Sequence, residues 1–192
     1  MMMKDDLREN KNFEVLLNEF LARRREDMLA QFNRVLPTGE LLFNRFDKAK
    51  FVGAGKRSSI YDSSVIMGDV TIGDDVWVGP FTLIEGIHGK VNIGNWVSIN
   101  TGAMILSHDS TKYYVTGGND SFKKGDVTIG SYTVIGSQSF ITCGVSIGSH
   151  CVIAAGSFVN KDVKDNSIVA GAPARKIGSV LIHDGKAEFK FF

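Results

Sequence analysis

A histidine opens the longest irregular stretch of this chain, at a position where its side chain could carry out proton transfer. His108 and Asp109 begin the stretch HDSTKYYVTGGNDSFKKGD, which separates two regularly patterned segments. Long loops without regular structure are uncommon in compact domains and are often functional. An unperturbed histidine has a pKa of about 6.5, so its neutral form can accept a proton near neutral pH. His108 is therefore a candidate base at the root of this loop, although a histidine that begins a loop is, taken alone, more often a surface residue without a role.

Other candidate site residues lie in the loop and in a shorter break that precedes it. Tyr113 and Tyr114 lie in the loop, where they could contact a substrate. The shorter break, EGIHGK, contains Glu85 and His88. Glu85 could contact a substrate, or it could orient His108 as the partner of a neutral imidazole. His88 could also face a ligand, but we favour its interpretation as an exposed corner residue without a role.

The chain shows no spacing typical of metal ligands or of a redox pair. Its two cysteines, Cys143 and Cys151, form no CxxC motif, and we expect buried, inactive thiols. The histidines are scattered along the chain: His88, His108, His150 and His183. We therefore predict a site that requires no metal.

A six-residue repeat must position the candidate residues. An aliphatic residue recurs at every sixth position through most of the range from Ile60 to Val159, and a small or β-branched residue usually follows four positions later. Neither an α-helix nor a hairpin has this period. If each hexad is one short strand and a turn, three hexads form a triangular coil, and coils stack at about 4.8 Å. The repeat predicts a mainly β prism of roughly six coils with the aliphatic residues inside.

From about residue 60 to 178 the sequence resembles the hexapeptide-repeat O-acetyltransferases, such as the galactoside, maltose and nodulation-factor acetyltransferases. The most specific parts of the resemblance are the histidine that heads the loop and the closing pattern SFVNKDV…NSIVAGAPARKIG. The resemblance implies a left-handed parallel β-helix, although parallel crossover connections are otherwise overwhelmingly right-handed. It also implies a homotrimer with active sites between subunits.

The resemblance further implies acetyl-CoA as the acyl donor and His108 as the general base that deprotonates a sugar or glycan hydroxyl. Five positions match cofactor contacts of the family: Ser137, Ala155, Asn160, Lys161 and Arg175. Pro80 stands where sugar acetyltransferases often carry an asparagine, so the sequence does not identify the acceptor. Relatives of this kind act in polysaccharide biosynthesis.

Three alternative functions remain open at this point. The first is N-acetylation of a nucleotide-linked amino sugar, or transfer of another acyl group, on the same scaffold. The second is a zinc hydratase of the γ-carbonic-anhydrase type, which needs three histidines at a subunit interface. The third is a non-catalytic trimeric scaffold in which His108 has no chemical role.

We predict three parts in the chain. Residues 1–47 form an N-terminal helical arm, residues 48–178 form the β-helix with an active-site loop at 107–126, and residues 179–192 form a C-terminal tail. The formal net charge of +1 gives no electrostatic reason to expect a nucleic acid partner. We find no secretory signal and no apolar run long enough for membrane insertion, and we expect a cytoplasmic protein.

Overall fold

The computed structural model describes the backbone of residues 2–192 and the side chains of residues 12–192. The chain divides after Asn44 into two compact units. The first unit contains helix α1 (Met2–Phe32) and the short helix α2 (Thr38–Leu42). Arg24 Nε donates to the carbonyl of Leu41 at 3.4 Å and links the two helices. Among the described helices, none combines the length and the apolar content needed to cross a bilayer.

The second unit begins with helix α3 (Arg45–Phe51) and continues as a series of short strands. The first six strands are β1 (Ser59–Ile60), β2 (Val65–Ile72), β3 (Trp77–Val78), β4 (Leu83–Ile93), β5 (Ser98–Ile99) and β6 (Met104–Leu106). The long loop contains β7 (His108–Asp109), α4 (Thr111–Val115) and β8 (Lys123–Lys124). The later strands are β9 (Val127–Ile129), β10 (Val134–Ile135), β11 (Phe140–Ile141), β12 (Ser146–Ile147), β13 (Val152–Ile153), β14 (Phe158–Val159), β15 (Ser167–Ala170), β16 (Arg175–His183) and β17 (Lys186–Phe191).

The strands form the three faces of a prism. Face 1 consists of β1, β3, β5, β10, β13 and β15, all parallel to their neighbours. Strands β2 and β4 bend across one corner: their first halves join β6, β11 and β14 in face 2, and their second halves join β9 and β12 in face 3. The corner between faces 2 and 3 is called the loop corner below.

The spacing of stacked residues locates the irregular segments. Partners on face 1 are 18 residues apart where the repeat is regular, as for Ile135 and Ile153. The separation grows to 21 residues between Val78 and Ile99, and to 36 residues between Ile99 and Ile135. The three extra residues lie in β4 and the eighteen extra residues form the long loop. Both insertions leave the prism at the loop corner, in successive coils.

The repeat fills the core as the sequence predicts, and the mainly β prism of hexapeptide coils is confirmed. The inward aliphatic residues are buried along the stack, and Ile66, in the first coil, is partly buried. Small residues occupy the corners, where their hydroxyls reach the carbonyl of the next coil: Ser64 Oγ donates to Gly79 O at 2.7 Å, and Ser139 Oγ donates to Ala154 O at 3.0 Å. These bonds satisfy polar groups that would otherwise be costly to bury.

The coils approach too closely at some corners to admit a side chain. A Cβ atom at Gly136 would lie 2.5 Å from the nitrogen of Ala155, so only glycine fits there. At another corner the chain turns through non-glycine residues with a positive φ angle, among them Tyr132 and His150. The rings of these two residues stack at 4.8 Å between centroids.

The prism ends in a hairpin that the repeat does not predict. Strand β16 pairs antiparallel with β15 and then with β17. The hairpin begins at Arg175, inside the closing pattern of the repeat, and continues through the segment that the sequence analysis treats as a tail.

Candidate active site

The side chain of His108 is held by a carboxylate from the preceding coil. Its Nδ1 lies 2.7 Å from Oε2 of Glu85, which belongs to β4. Strands β4 and β6 are parallel neighbours, with Glu85 opposite Leu106, so the root of the loop lies beside the short break. Stacking of the coils therefore brings together two residues that are 23 positions apart in the chain.

Glu85 is only 2% exposed, and its oxygens are fully engaged by protein donors. The backbone N–H of Ile87 donates to Oε1, and the N–H and Oγ of Ser107 lie 3.2 Å from Oε2. Burial is the strongest single influence and opposes ionisation of Glu85. The hydrogen bonds from His108, Ile87 and Ser107 together outweigh it and hold the pKa of Glu85 below its ordinary value.

An ionised Glu85 determines which nitrogen of His108 carries the proton. A carboxylate can only accept a hydrogen bond, so Nδ1 of the neutral imidazole must donate to it and Nε2 keeps its lone pair. Because Glu85 is buried and surrounded by donors, these contacts favour the orienting interpretation of Glu85 over contact with a substrate.

Two further rings contact the imidazole of His108. The His88 ring lies edge-on at 4.6 Å between centroids, and the Phe122 ring stacks at 5.7 Å with an interplanar angle of 18°. The interpretation of His88 as an exposed corner residue is wrong, because His88 is partly buried and packs against the candidate base. The period of six could not reveal this contact, since His88 lies in the insertion where the repeat loses its phase.

A cavity of about 290 Å³ opens beside His108 on face 2. Its apolar wall is formed by Leu106, Phe140 and Phe158, and its polar wall by the start of the loop and Thr142. The Asp109 carboxylate is turned into the loop, where Oδ1 accepts from the N–H of Thr111 at 2.8 Å. The hydrogen bonds from Thr111 hold the pKa of Asp109 below its ordinary value. His108 is therefore the group in this cavity that is suited to accept a proton.

A second cavity, of about 330 Å³, lies at the C-terminal end of the prism. It brings together three of the five predicted cofactor residues, Asn160, Lys161 and Arg175. Lys164 and Lys176 also line it. Sequence reasoning missed these two lysines, although each stands within three residues of a residue that it named. Four cations around one cavity favour a ligand that carries phosphates.

Consecutive residues at strand β14 line the two cavities. Phe158 lines the first cavity, and the next two residues, Val159 and Asn160, line the second.

The structure does not bring every predicted site residue into these cavities. Ser137 and Ala155 lie at the corner between faces 1 and 2, where the carbonyl of Ser137 accepts from Gly156 N–H at 2.8 Å, and they line neither cavity. Tyr113 and Tyr114 lie on α4, and Tyr114 is 73% exposed. The Tyr113 ring packs edge-on against Phe122 at 5.1 Å.

Among the side chains of residues 12–192, no three histidine, cysteine or acidic groups cluster in a way that could hold a metal ion. Cys143 and Cys151 are free and buried. Burial is the main reason why the pKa of Cys151 lies above its ordinary value, which disfavours the reactive thiolate.

Comparison with known proteins supports the assignment of the repeat. Residues 126–161 match the family model described as bacterial transferase hexapeptide (six repeats). Protein YrdA of Escherichia coli (strain K12) is 40% identical over 81 residues, which cover 42% of this chain. The match spans 43% of that relative, less than half of its length.

Solved structures share the fold at lower sequence identity. AntD, an N-acyltransferase from Bacillus cereus in complex with dTDP and 3-hydroxybutyryl-CoA, matches with a TM-score of 0.61 and 24% identity, over 66% of this chain and 71% of that one. A maltose O-acetyltransferase from Clostridium difficile 630 matches with a TM-score of 0.59 and 22% identity, over 87% and 89% of the two chains. The repeat, the stacked coils and these similarities together show that the chain has the left-handed parallel β-helix fold, and residues 126–161 carry the hexapeptide repeat of the matching family model.

Proposed function

We propose that this protein is an acetyltransferase that moves the acetyl group of acetyl-CoA to a hydroxyl of a sugar or glycan, with His108 as general base. The observation that carries the proposal is the Glu85–His108 pair, at 2.7 Å, beside an open cavity, in a chain whose C-terminal prism end holds a cationic cavity. The pair supplies a base of fixed tautomer, and the cations suit the phosphates of coenzyme A.

The proposed reaction follows from this arrangement. Nε2 of His108 removes the proton of the acceptor hydroxyl as its oxygen attacks the thioester carbonyl. The tetrahedral intermediate then collapses, the carbon–sulfur bond breaks, and the thiolate of coenzyme A takes the proton from Nε2. The products are an ester and the free thiol of coenzyme A, so the proton balance closes within the site. Glu85 stabilises the imidazolium that forms between the two steps.

The donor would bind along face 2. Lys161, Lys164, Arg175 and Lys176 would hold its phosphates, and the extended arm would pass Asn160 and Phe158 towards His108. The acetyltransferase domain of PglB from Neisseria gonorrhoeae FA1090, which shares this fold with a TM-score of 0.51, was solved with acetyl coenzyme A. Ser137 and Ala155 lie outside both cavities and would contact the donor only from a neighbouring corner.

We further propose a homotrimer whose active sites lie between subunits, as the resemblance to the hexapeptide acetyltransferases implies. Each cavity of the single chain is open, which leaves room for a second subunit to complete its wall. Since acetyl-CoA is a metabolite of the cell interior, we place the reaction in the cytoplasm, as a step in polysaccharide biosynthesis.

An acceptor screen tests the proposal. The purified protein is incubated with acetyl-CoA and a panel of sugars, oligosaccharides and nucleotide-linked sugars, and release of free thiol is measured. We expect acceptor-dependent thiol release that is lost in His108→Ala. If acetyl-CoA neither binds nor reacts with any acceptor, the protein acts as a scaffold and not as an acetyltransferase.

A second candidate is acylation of the amino group of a nucleotide-linked sugar. Lys124 pairs with His108 and Lys123 with Asp109 across β7 and β8, and both lysines are exposed, so a cationic strand lies beside the candidate base. Such a strand suits an acceptor that carries phosphates. AntD, which shares the fold, was solved with a dTDP-linked amino sugar. Acetyl transfer to such sugars, but not to neutral ones, with a KM that rises in Lys124→Ala, would favour this candidate.

A further inference from the structure

The three extra residues of β4 form a distinct structure at the loop corner. Strand β2 pairs with β4 from Val65 to Gly68, and the pairing resumes at Val70 opposite Val91. Between these points β2 contributes one residue, Asp69, while β4 contributes four, residues 87–90. The segment 87–90 is called the corner insertion below. It bulges out of the stack directly before the coil from which the long loop departs.

The corner insertion is bonded to both ends of the long loop. His88 N–H donates to Ser107 Oγ at 3.1 Å, at the start of the loop. Lys90 N–H donates to Asp126 Oδ1 at 2.8 Å, at its end. The two ends are joined to each other by the bond from Gly125 N–H to Ser107 O at 3.0 Å. The insertion and the loop therefore form one connected unit, although they belong to different coils.

Three rings close this unit around the candidate base. The centroid distances are 4.6 Å between His88 and His108, 5.5 Å between His88 and Phe122, and 5.7 Å between His108 and Phe122. Each ring comes from a different irregular segment. His88 lies in the corner insertion, His108 at the start of the long loop and Phe122 near the end of that loop. Each ring packs against the other two.

We infer that His88 is a positioning residue, which holds the imidazole of His108 in the orientation where Nδ1 meets Glu85 and Nε2 is directed at the acceptor. This inference rests on the proposed function, in which His108 is the base. The χ2 torsion of histidine joins an sp³ to an sp² carbon and has broad minima, so one hydrogen bond at Nδ1 leaves the ring free to rock. Contact with a second ring removes that freedom. Misplacement of a reacting group by about 1 Å can cost 100-fold in rate.

The experiment compares three variants with the parent protein. His88→Ala removes the ring, and His88→Phe keeps a ring but removes its nitrogens. His150→Ala is the matched control, because it removes a histidine ring that stacks at 4.8 Å on Tyr132 at another corner. Long-range ¹H–¹⁵N correlation spectra of the imidazoles, assigned with His108→Gln, report the tautomer of His108 without any need for a substrate.

We expect the parent, His88→Phe and His150→Ala to show a single His108 tautomer with the proton on Nδ1. In His88→Ala the ring of His108 can turn away from Glu85, so the hydrogen bond that selects the tautomer is populated less and the nitrogen shifts should move towards the average of the two tautomers. With an active acceptor, His88→Ala should lower kcat about 10- to 100-fold at unchanged KM for acetyl-CoA, and His88→Phe should restore most of the loss.

A His108 spectrum in His88→Ala that matches the parent would overturn the inference, as would a His88→Ala enzyme with parental kcat. If His88→Ala does not fold, His88→Leu fills the volume without a ring and is expected to show the same tautomer averaging. The two proposals fail separately. If no acceptor is acetylated, the proposed function is wrong, while the spectra still decide whether His88 positions the His108 ring.

Discussion

The regular coils from β9 to β15 differ from the segment between Glu85 and Asp126 in the polar groups that they bury. In the later coils, stacked residues are 18 apart and the inward side chains are aliphatic, with hydroxyls bonded to the next coil. At the loop corner the same stack buries the carboxylate of Glu85, which contacts His108, together with Ser107, whose hydroxyl contacts Glu85. The difference indicates that the regular coils stabilise the prism, and we propose that the interruptions supply the chemistry.

The largest expected effect comes from placing a charge inside the regular coils. Ile135 is 0% exposed, while the preceding residue, Val134, points outwards and is 37% exposed. Ile135→Asp buries a carboxylate without a partner, at a cost of several kcal/mol, which is comparable with the whole stability of a domain. We expect Ile135→Asp to be unfolded by circular dichroism and Val134→Asp to melt close to the parent. A folded Ile135→Asp protein would contradict the assigned register.

The next effect separates chemistry from donor binding. His108→Ala removes the proposed base, so kcat for acetyl transfer should fall about 100-fold or more. The dissociation constant for acetyl-CoA should change little, because the cationic cavity belongs to the later coils. Steady-state kinetics and calorimetry check both statements. Full activity of His108→Ala with its acceptor would remove His108 from the mechanism.

A smaller effect concerns the buried carboxylate and depends on pH. The folded pKa of Glu85 lies below its ordinary value, so its ionised form stabilises the fold above the ordinary pKa, and that contribution is lost as the pH falls through the folded value. Glu85→Gln cannot ionise, so the difference in melting temperature between parent and variant should be larger at pH 7 than at pH 4. Glu188→Gln, at an exposed position of β17, serves as control and should show no such trend. A difference that grows on acidification would have the wrong sign for this assignment.

The smallest effect is expected at the donor end. Lys161→Ala and Arg175→Ala should each raise KM for acetyl-CoA severalfold while kcat stays within about twofold, because contacts to distant phosphates bind the ground state and the transition state alike. Lys186→Ala is the control, because it also removes a cation but lies on the exposed strand β17. This variant should leave the KM for acetyl-CoA unchanged. Unaltered affinity in both cavity variants would exclude these residues from the donor site.

The regular part of the fold could be predicted from the sequence because one fixed period of six residues tells which side chains point into the prism. Ile129, Ile141 and Ile153 are buried as that period requires. The candidate base was found because His108 stands where the period stops. The ring contact of His88 was not found, because its direction depends on how three extra residues bulge from a corner. The cationic cavity was missed as a unit because the approach of Arg175 and Lys176 to Lys161 and Lys164 depends on the antiparallel return of β16.

The departure of the long loop from a single corner also bears on how such a protein can diversify. Strands on either side of the loop keep their partners in the coils above and below, as Ile105 does with Ile84 and Ile141. A change in the length or sequence of the loop therefore does not alter which residues of neighbouring coils pair with each other. Mutation can lengthen or rewrite this segment, and with it the surface that surrounds His108, without altering the cavity at the C-terminal end of the prism. The surface at the loop corner can thus change while the stacked coils stay constant.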